Sequence, residues 1–326
     1  MALLPVLEGL HSAESFHRAF LDAFFERARE IEAHPLQFED SLKGRLIAAV
    51  FEEASTRTRL SFETAAHRMG ARVISISDVK STSHAKGESL LDSARMVGSY
   101  ADLVVWRHPR DGATRLISQA VDVPVVNAGD GRLGHPTQTL VDLYTLYREW
   151  GSLEGKTVGI MGDLRNGRTC RSLLWGLSLA GARVVLLPAT GLDWEAGFET
   201  RVLERSGLRS REVCHSLFKE WTGSESARLI EPKGLLQGSL FRDHTPRLDH
   251  LDALYLTRLQ VERGGKASSG GYPGIRIPQL RDALLESCLI LHPLPRLAEV
   301  PVELDQDPQA RYFMQAQMGP IVRQAL

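Results

Sequence analysis

The sequence predicts an α/β protein of two doubly wound domains, each with an open parallel sheet flanked by helices. Three observations carry that expectation. Short β-branched runs alternate with helical segments along most of the chain, the order of successive βα units. Most of the runs are apolar almost throughout, as strands covered by helices on both faces must be. The length, 326 residues, suits two domains at ~150 residues each.

In the first half the candidate strands are Leu46–Phe51, Arg72–Ser77, Leu103–Trp106 and Val123–Asn127; in the second they are Thr157–Met161, Arg183–Leu187, Ala253–Thr257 and Leu289–Leu291. Between the first two, Phe62, Ala65, Ala66 and Met69 follow the helical i, i+3, i+4, i+7 spacing. A helix over Thr137–Trp150, stopped by Gly151-Ser152, marks the junction, so the domains are expected over 1–150 and 151–326. Two regions break the alternation. Residues 190–250 are mixed and Arg-rich and resist assignment. Gly264–Gly274 (GGKASSGGYPG), with five glycines, reads as a mobile loop. No repeat occurs at solenoid periods.

Composition bounds the partners. The chain is 43% hydrophobic and 24% charged, ordinary for a folded globular protein. Lys and Arg number 39 against 40 Asp and Glu, a net charge of −1. There is no global basic footprint for nucleic acid, and an anionic ligand must be held by local cations. Cys170, Cys214 and Cys288 form no CxxC pair, which argues against a zinc knuckle or a disulfide framework. No stretch approaches the ~20 apolar residues of a membrane helix. The N-terminus meets Glu8 and His11 too early for a signal peptide. A reducing cytoplasm is the expected compartment.

Ligands of open α/β sheets bind beyond the carboxyl ends of the strands. After the first strand, Glu53-Ala54-Ser55-Thr56-Arg57-Thr58-Arg59 opens a helix with no acid before Glu63. Cations are unfavourable at a helix N-terminus, so arginines there beside hydroxyls and free N–H groups describe an anion site, most simply for phosphate. Arg107-His108-Pro109 and His135-Pro136-Thr137-Gln138 follow the next strands. In the second half the strand ends carry Gly162-Asp163-Leu164-Arg165-Asn166-Gly167-Arg168-Thr169, Thr257-Arg258-Leu259-Gln260 and His292-Pro293-Leu294-Pro295-Arg296. Taken together, the arginines and Gln260 suggest recognition of carboxylates.

Two further patterns are decoys. Gly129-Asp130-Gly131-Arg132-Leu133-Gly134 matches GxGxxG, yet the helix starts only at Pro136, after the third glycine, and no acid closes the next strand as a dinucleotide fingerprint requires. Residues 162–169 imitate a P-loop, but Arg168 stands where lysine belongs and Asp163 would put a carboxylate in the phosphate cradle.

The ordered set Ser55-Thr56-Arg57-Thr58-Arg59, Lys86-Gly87-Glu88, Arg107-His108-Pro109, His135-Pro136-Thr137-Gln138, Gly167-Arg168-Thr169, Thr257-Arg258-Leu259-Gln260 and His292-Pro293-Leu294-Pro295-Arg296 closely resembles the catalytic chains of the aspartate carbamoyltransferase family. The match covers roughly residues 40–190 and 252–326. The related ornithine carbamoyltransferases typically carry a cysteine in the last motif, where this chain has Pro293. The resemblance implies carbamoyl transfer from carbamoyl phosphate to L-aspartate, in pyrimidine biosynthesis. It implies a carbamoyl phosphate domain, then an aspartate domain whose C-terminal helix returns to the first. It also implies a cytoplasmic homotrimer with active sites shared between subunits, and leaves room for regulatory or dihydroorotase chains beside it.

Carried over by position, Ser55, Thr56, Arg57 and Thr58 hold the phosphate, joined by Ser83 and Lys86 from a neighbouring subunit. Thr58, Arg107 and His135 polarise the carbamoyl oxygen, and Gln138 contacts the carbamoyl nitrogen. Lys86, Arg168, Thr169, Arg258 and Gln260 take the aspartate, with the backbone at Leu294 and Pro295 lining the site. Arg57, Thr58, Lys86, Arg107 and His135 are the catalytic set. Phosphate is a good leaving group that can itself take a proton, so no metal, cofactor or covalent nucleophile is expected. The alternatives are another acceptor amine, such as ornithine, or a paralogue that assembles without turning over; the intact motif set argues against the second. Four features depart from the family pattern. Glu52 stands where an apolar residue is usual, and Ala298 where an acid or Asn usually follows the last motif. The 190–250 connection is longer, and Leu326 falls before the terminal helix would finish.

Overall fold

The computed structural model describes residues 9–77, 86–195, 197–213, 222, 227–232, 250–266, 272–283 and 285–326. The chain divides into two compact units, Met1–Thr145 with Gln317–Leu326, and Leu146–Ala316. The division falls inside the helix Pro136–Trp150 rather than at Gly151-Ser152.

The first unit holds a five-stranded sheet. Its strands are β1 (Gly9–Leu10), β2 (Leu46–Phe51), β3 (Arg72–Ile76), β4 (Leu103–His108) and β5 (Val125–Asp130), in the order β1-β5-β4-β2-β3. All the pairings are parallel. Side chains of a strand alternate between faces, and both faces of β2 are buried. Ile47, Ala49 and Phe51 pack with Phe62 and Ala66 of α2 (Thr56–Arg68). Ala48 and Val50 pack on the other side with Ala94 of α3 (Leu90–Tyr100) and Ile117 of α4 (Ala113–Ser118). This two-sided burial is why β2 reads as an unbroken apolar run. The amphipathic α1 (Arg18–Ala33), capped by His17, buries Phe20, Leu21, Phe24, Phe25, Ala28 and Ile31.

The second unit holds six strands in the order β11-β10-β6-β7-β9-β8. They are β6 (Thr157–Gly162), β7 (Arg183–Pro188), β8 (Leu208–Glu212), β9 (Arg228–Pro232), β10 (Ala253–Leu256) and β11 (Leu289–Leu291). The four strands anticipated from apolar runs form the parallel part. Antiparallel β9 and β8 extend it. With α7 (Phe198–Ser206), they supply the described structure of the unassigned 190–250 region. Two of their arginines are paired locally. Arg209 faces Glu231 across β8 and β9 with Nε at 2.8 Å, and Arg228 holds both Asp193 and Glu199. Residues 214–221, 223–226 and 233–249 lie outside the described residues. The described ends of the glycine-rich segment are tied down: Tyr272 Oη donates to Thr257 O at 2.7 Å and accepts from Asp163 N at 2.7 Å. Its residues 267–271 lie outside the described set. The remaining helices are α5 (Pro136–Trp150), α6 (Arg168–Leu179) and α8 (Tyr312–Ala325).

Candidate active site

In the first unit, β3 and β4 flank β2 on opposite sides. The connections leaving β2 and β4 therefore diverge, opening the crevice in which α/β sheets bind ligands. Ser55 caps α2 by position, but its side chain makes no capping hydrogen bond, and the first turn has no acid. A first turn has N–H groups without intrahelical partners, a setting that suits an anion, and the Ser55 and Thr56 hydroxyls and the exposed Arg57 belong to this one.

Register places Arg107 opposite Phe51, one residue before the β2 turn begins. Arg107 is buried, and its Nη2 donates to Glu53 Oε1 at 2.8 Å. That carboxylate holds the guanidinium at the strand end. Thr58, on the buried face of α2, comes within 3.5 Å of His135 Nε2, and Thr137 Oγ1 lies 3.4 Å from His135 Nδ1. His135 is itself buried, immediately before α5. Gln138 follows one turn later, half-buried, with Nε2 donating to Asp142 Oδ1 at 2.7 Å. Ser55, Thr56, Arg57, Thr58, Arg107, His135 and Gln138 thus come from the ends of β2 and β4 and from the segment after β5. Lys86 is exposed ahead of α3, and Ser83 lies outside the described residues.

In the second unit the analogous divergence lies at β6, flanked by β7 and β10. Gly162 ends β6 at φ 121°, a conformation that favours glycine. The next residue, Asp163, is fully buried and accepts from Asn166 N at 3.0 Å and from Gln260 N at 3.1 Å. The turn that imitates a P-loop is therefore filled by its own carboxylate. One side chain also ties the start of α6, with Arg168 and Thr169, to the loop that carries Arg258 and Gln260.

Arg258 is paired with both carboxylate oxygens of Glu262. Gln260 is held on both sides of its amide, Nε2 donating to Arg258 O at 3.1 Å and Oε1 accepting from Arg263 at 2.6 Å. Leu294, at φ 53°, precedes a cis bond to Pro295. The buried His292 shapes this turn, Nδ1 accepting from Leu294 N at 2.8 Å and Nε2 meeting Glu299 Oε1 at 3.0 Å. Burial pushes the Cys170 thiol, which lies against the Asp163 turn, up to about 12, and Asp163 adds to the rise; it stays a thiol at neutral pH and is no nucleophile.

Sequence reasoning missed the supporting residues Asp142, Asp163, Glu262 and Glu299. Each is an acid whose role depends on what surrounds it in three dimensions. Glu262, four residues after Arg258, carried a signal in its spacing.

The family model for the aspartate/ornithine carbamoyltransferase carbamoyl-P binding domain matches residues 9–148. The aspartate carbamoyltransferase catalytic subunit of Thermoplasma acidophilum is 42% identical over 292 residues, 88% of this chain and 85% of that one. That of Methanopyrus kandleri is 39% identical over 321 residues, 97% of this chain and 94% of its own. The crystal structure of Trypanosoma cruzi aspartate transcarbamoylase with carbamoyl aspartate and phosphate superposes with a TM-score of 0.80 at 31% identity, covering 97% of this chain and 93% of that one. No described helix is long and apolar enough to cross a membrane. On this sequence and structural similarity, the chain belongs to the aspartate/ornithine carbamoyltransferase family, among the aspartate carbamoyltransferase catalytic subunits.

Proposed function

We infer that the chain transfers the carbamoyl group of carbamoyl phosphate to the amine of L-aspartate, giving N-carbamoyl-L-aspartate and phosphate for pyrimidine biosynthesis. The observation that carries this is the first-unit constellation: an uncapped helix N-terminus bearing Arg57, with Arg107 fixed by Glu53 and Thr58 next to His135. It offers donors for a phosphate and, beside them, donors for one carbonyl oxygen. When the aspartate amine attacks, charge develops on that oxygen, and Thr58, Arg107 and His135 stabilise it as fixed dipoles and a fixed charge. The phosphate departs toward Ser55, Thr56, Arg57 and the α2 N–H groups and can accept the amine proton.

The first unit is the carbamoyl phosphate domain and the second the aspartate domain, with the end of α8 returning to the first. In the second, Arg168, Thr169, Arg258 and Gln260 bind the acceptor, and the turn at Leu294 and Pro295 lines it. Arg258 engages Glu262 through its two Nη atoms, leaving the Nε edge to a substrate carboxylate. Two anionic substrates explain local clusters of arginine in a chain of net charge −1.

The working form is a cytoplasmic homotrimer in which Ser83 and Lys86 reach a neighbour's phosphate site. Leu60, Ile74, Met96 and Tyr100, on α2, β3 and α3, leave apolar surface exposed, which supports self-association. The buried Cys170 and Cys288 are free thiols, which suits a reducing compartment. The test is product formation from carbamoyl phosphate with aspartate or ornithine as acceptor. Carbamoyl-aspartate is expected, because the second-unit turns present arginines where ornithine's ammonium would need acids. Faster carbamoylation of ornithine would overturn the assignment.

A further inference from the structure

Asp142 has no place in the carbamoyl transfer just described, yet it is fully buried on α5. An i, i+4 Gln–Asp pair on a helix surface is ordinary and only weakly stabilising. Burial makes this pair different. An acid withdrawn from water is destabilising unless it is paired and hydrogen-bonded, and an apolar residue of similar volume would serve packing better. Arg323 of α8 is buried over the Phe62 ring at 4.8 Å, its Nη1 donating to Gly319 O at 3.0 Å. Burial lowers the Arg323 guanidinium to about 9, and Asp142 opposes that fall. A buried carboxylate thus stands behind one half-exposed amide, that of Gln138.

An amide has two unlike ends, a donor and an acceptor. A carboxylate has only acceptors, so the end of Gln138 that meets Asp142 must be the NH2, as the 2.7 Å Nε2···Oδ1 contact has it. The end turned away is then the carbonyl oxygen. A carbamoyl phosphate differs from an acyl phosphate by an NH2 in place of a methyl, and recognising that NH2 requires an acceptor. We propose that Asp142 is a positioning residue for donor specificity: by accepting from Gln138 Nε2 it keeps Oε1 aimed at the substrate's NH2 and so selects a carbamoyl phosphate over an acyl phosphate. The proposal rests on the reading that Gln138 contacts the carbamoyl nitrogen.

The test uses two stable isosteres bound to the intact protein, phosphonoacetamide, which keeps the NH2, and phosphonoacetone, which replaces it with a methyl. Calorimetry gives the ratio of their dissociation constants. The wild type is expected to prefer the amide, and Gln138→Ala to lose about tenfold of that preference, the scale of one hydrogen bond. Asp142→Asn, whose side chain can meet either end of the Gln138 amide, is expected to lose a similar factor while its phosphonoacetone affinity stays within twofold of wild type. If Gln138→Ala keeps the preference, the reading of Gln138 fails. If Gln138→Ala loses it but Asp142→Asn does not, the reading stands and the positioning role is wrong. Equal weakening of both ligands by Asp142→Asn reduces Asp142 to a structural part and also overturns the proposal.

Gln138→Glu leaves Asp142 itself intact and decides the matter even if Asp142→Asn does not fold. The new carboxyl can donate to Asp142 only while protonated and is repelled by it once ionised, so its preference for the amide should change as pH rises from 5 to 8. A preference independent of pH across that range would refute the role of Asp142.

Discussion

A carboxylate at position 52 breaks an apolar pattern, and its surroundings show what it does there. Glu52 Oε1 accepts from the buried Trp106 indole at 2.8 Å, and Oε2 lies 3.5 Å from His108 Nε2. The His108 Nδ1 accepts from Arg110 N at 3.0 Å, which puts the proton of the neutral ring on Nε2, toward Glu52. Burial lowers the His108 pKa, and Arg110 adds to this; Glu52 and Asp130 oppose it. The folded protein therefore binds fewer protons here than the unfolded chain. The stability involved is fully present above the unfolded value of about 6.5 and is lost as pH falls below it toward the folded value. The melting temperature of the wild type should fall more steeply from pH 7 to pH 5 than that of His108→Asn, which keeps an acceptor for Arg110 N and cannot titrate. Equal slopes would show that His108 is not the group responsible. The departure at 52 was legible as a departure, but its role was not, because Trp106 and His108 reach it only through the pairing of β2 with β4.

Among the elements, the parallel strands and the motif-bearing turns were legible because burial on two faces writes itself as continuous apolar sequence. Others left no such mark. β1 has two residues, paired with Val125 and Val126, too few to show a period. β8 (LRSRE) and β9 (RLIEP) carry charges that tertiary partners compensate, Arg209 with Glu231 across the ladder and Arg228 with Asp193 and with Glu199 of α7, and Glu231 is nearly inaccessible despite its charge. Asp163 was read as an obstacle to phosphate, but its bond to Gln260 N spans 97 residues of sequence and no spacing rule could expose it. That bond carries a prediction about the two turns it joins. Asp163→Asn puts an NH2 group among N–H donors and removes at least one of the hydrogen bonds from Asn166 and Gln260, at about 1–3 kcal/mol. The start of α6 and the loop after β10 should then separate, lowering kcat/KM for aspartate at least ~10-fold, while inorganic phosphate, whose proposed site is in the first unit, should bind with unchanged affinity in calorimetry. Loss of phosphate binding in step with aspartate activity would mean that the substitution unfolds the chain generally, and the specific tie would be withdrawn.

At the scale of the whole molecule, the proposed shared site has a consequence that no single chain can show. Lys86 is exposed on its own chain and would supply a neighbour's phosphate with a point charge rather than a bidentate fork. Arg57, exposed at the N-terminus of α2, would bind the same phosphate from the opposite chain. Arg57→Ala and Lys86→Ala trimers should each be nearly inactive, since each lacks one cation in every site; losing one such fixed group costs about 10²–10³ in rate. In a cyclic trimer every chain gives one edge to the next. Any trimer that mixes the two variants therefore contains one site, and only one, formed by an intact Arg57 and an intact Lys86. Dissociating and reassembling the two inactive proteins together should restore up to about one third of wild-type activity per mixed trimer. Sedimentation must first show that trimers form, and differently tagged chains that they mix. Mixed trimers no more active than either parent would return Lys86 to its own subunit or to solvent, and would leave Arg57 to hold the phosphate with groups of its own chain.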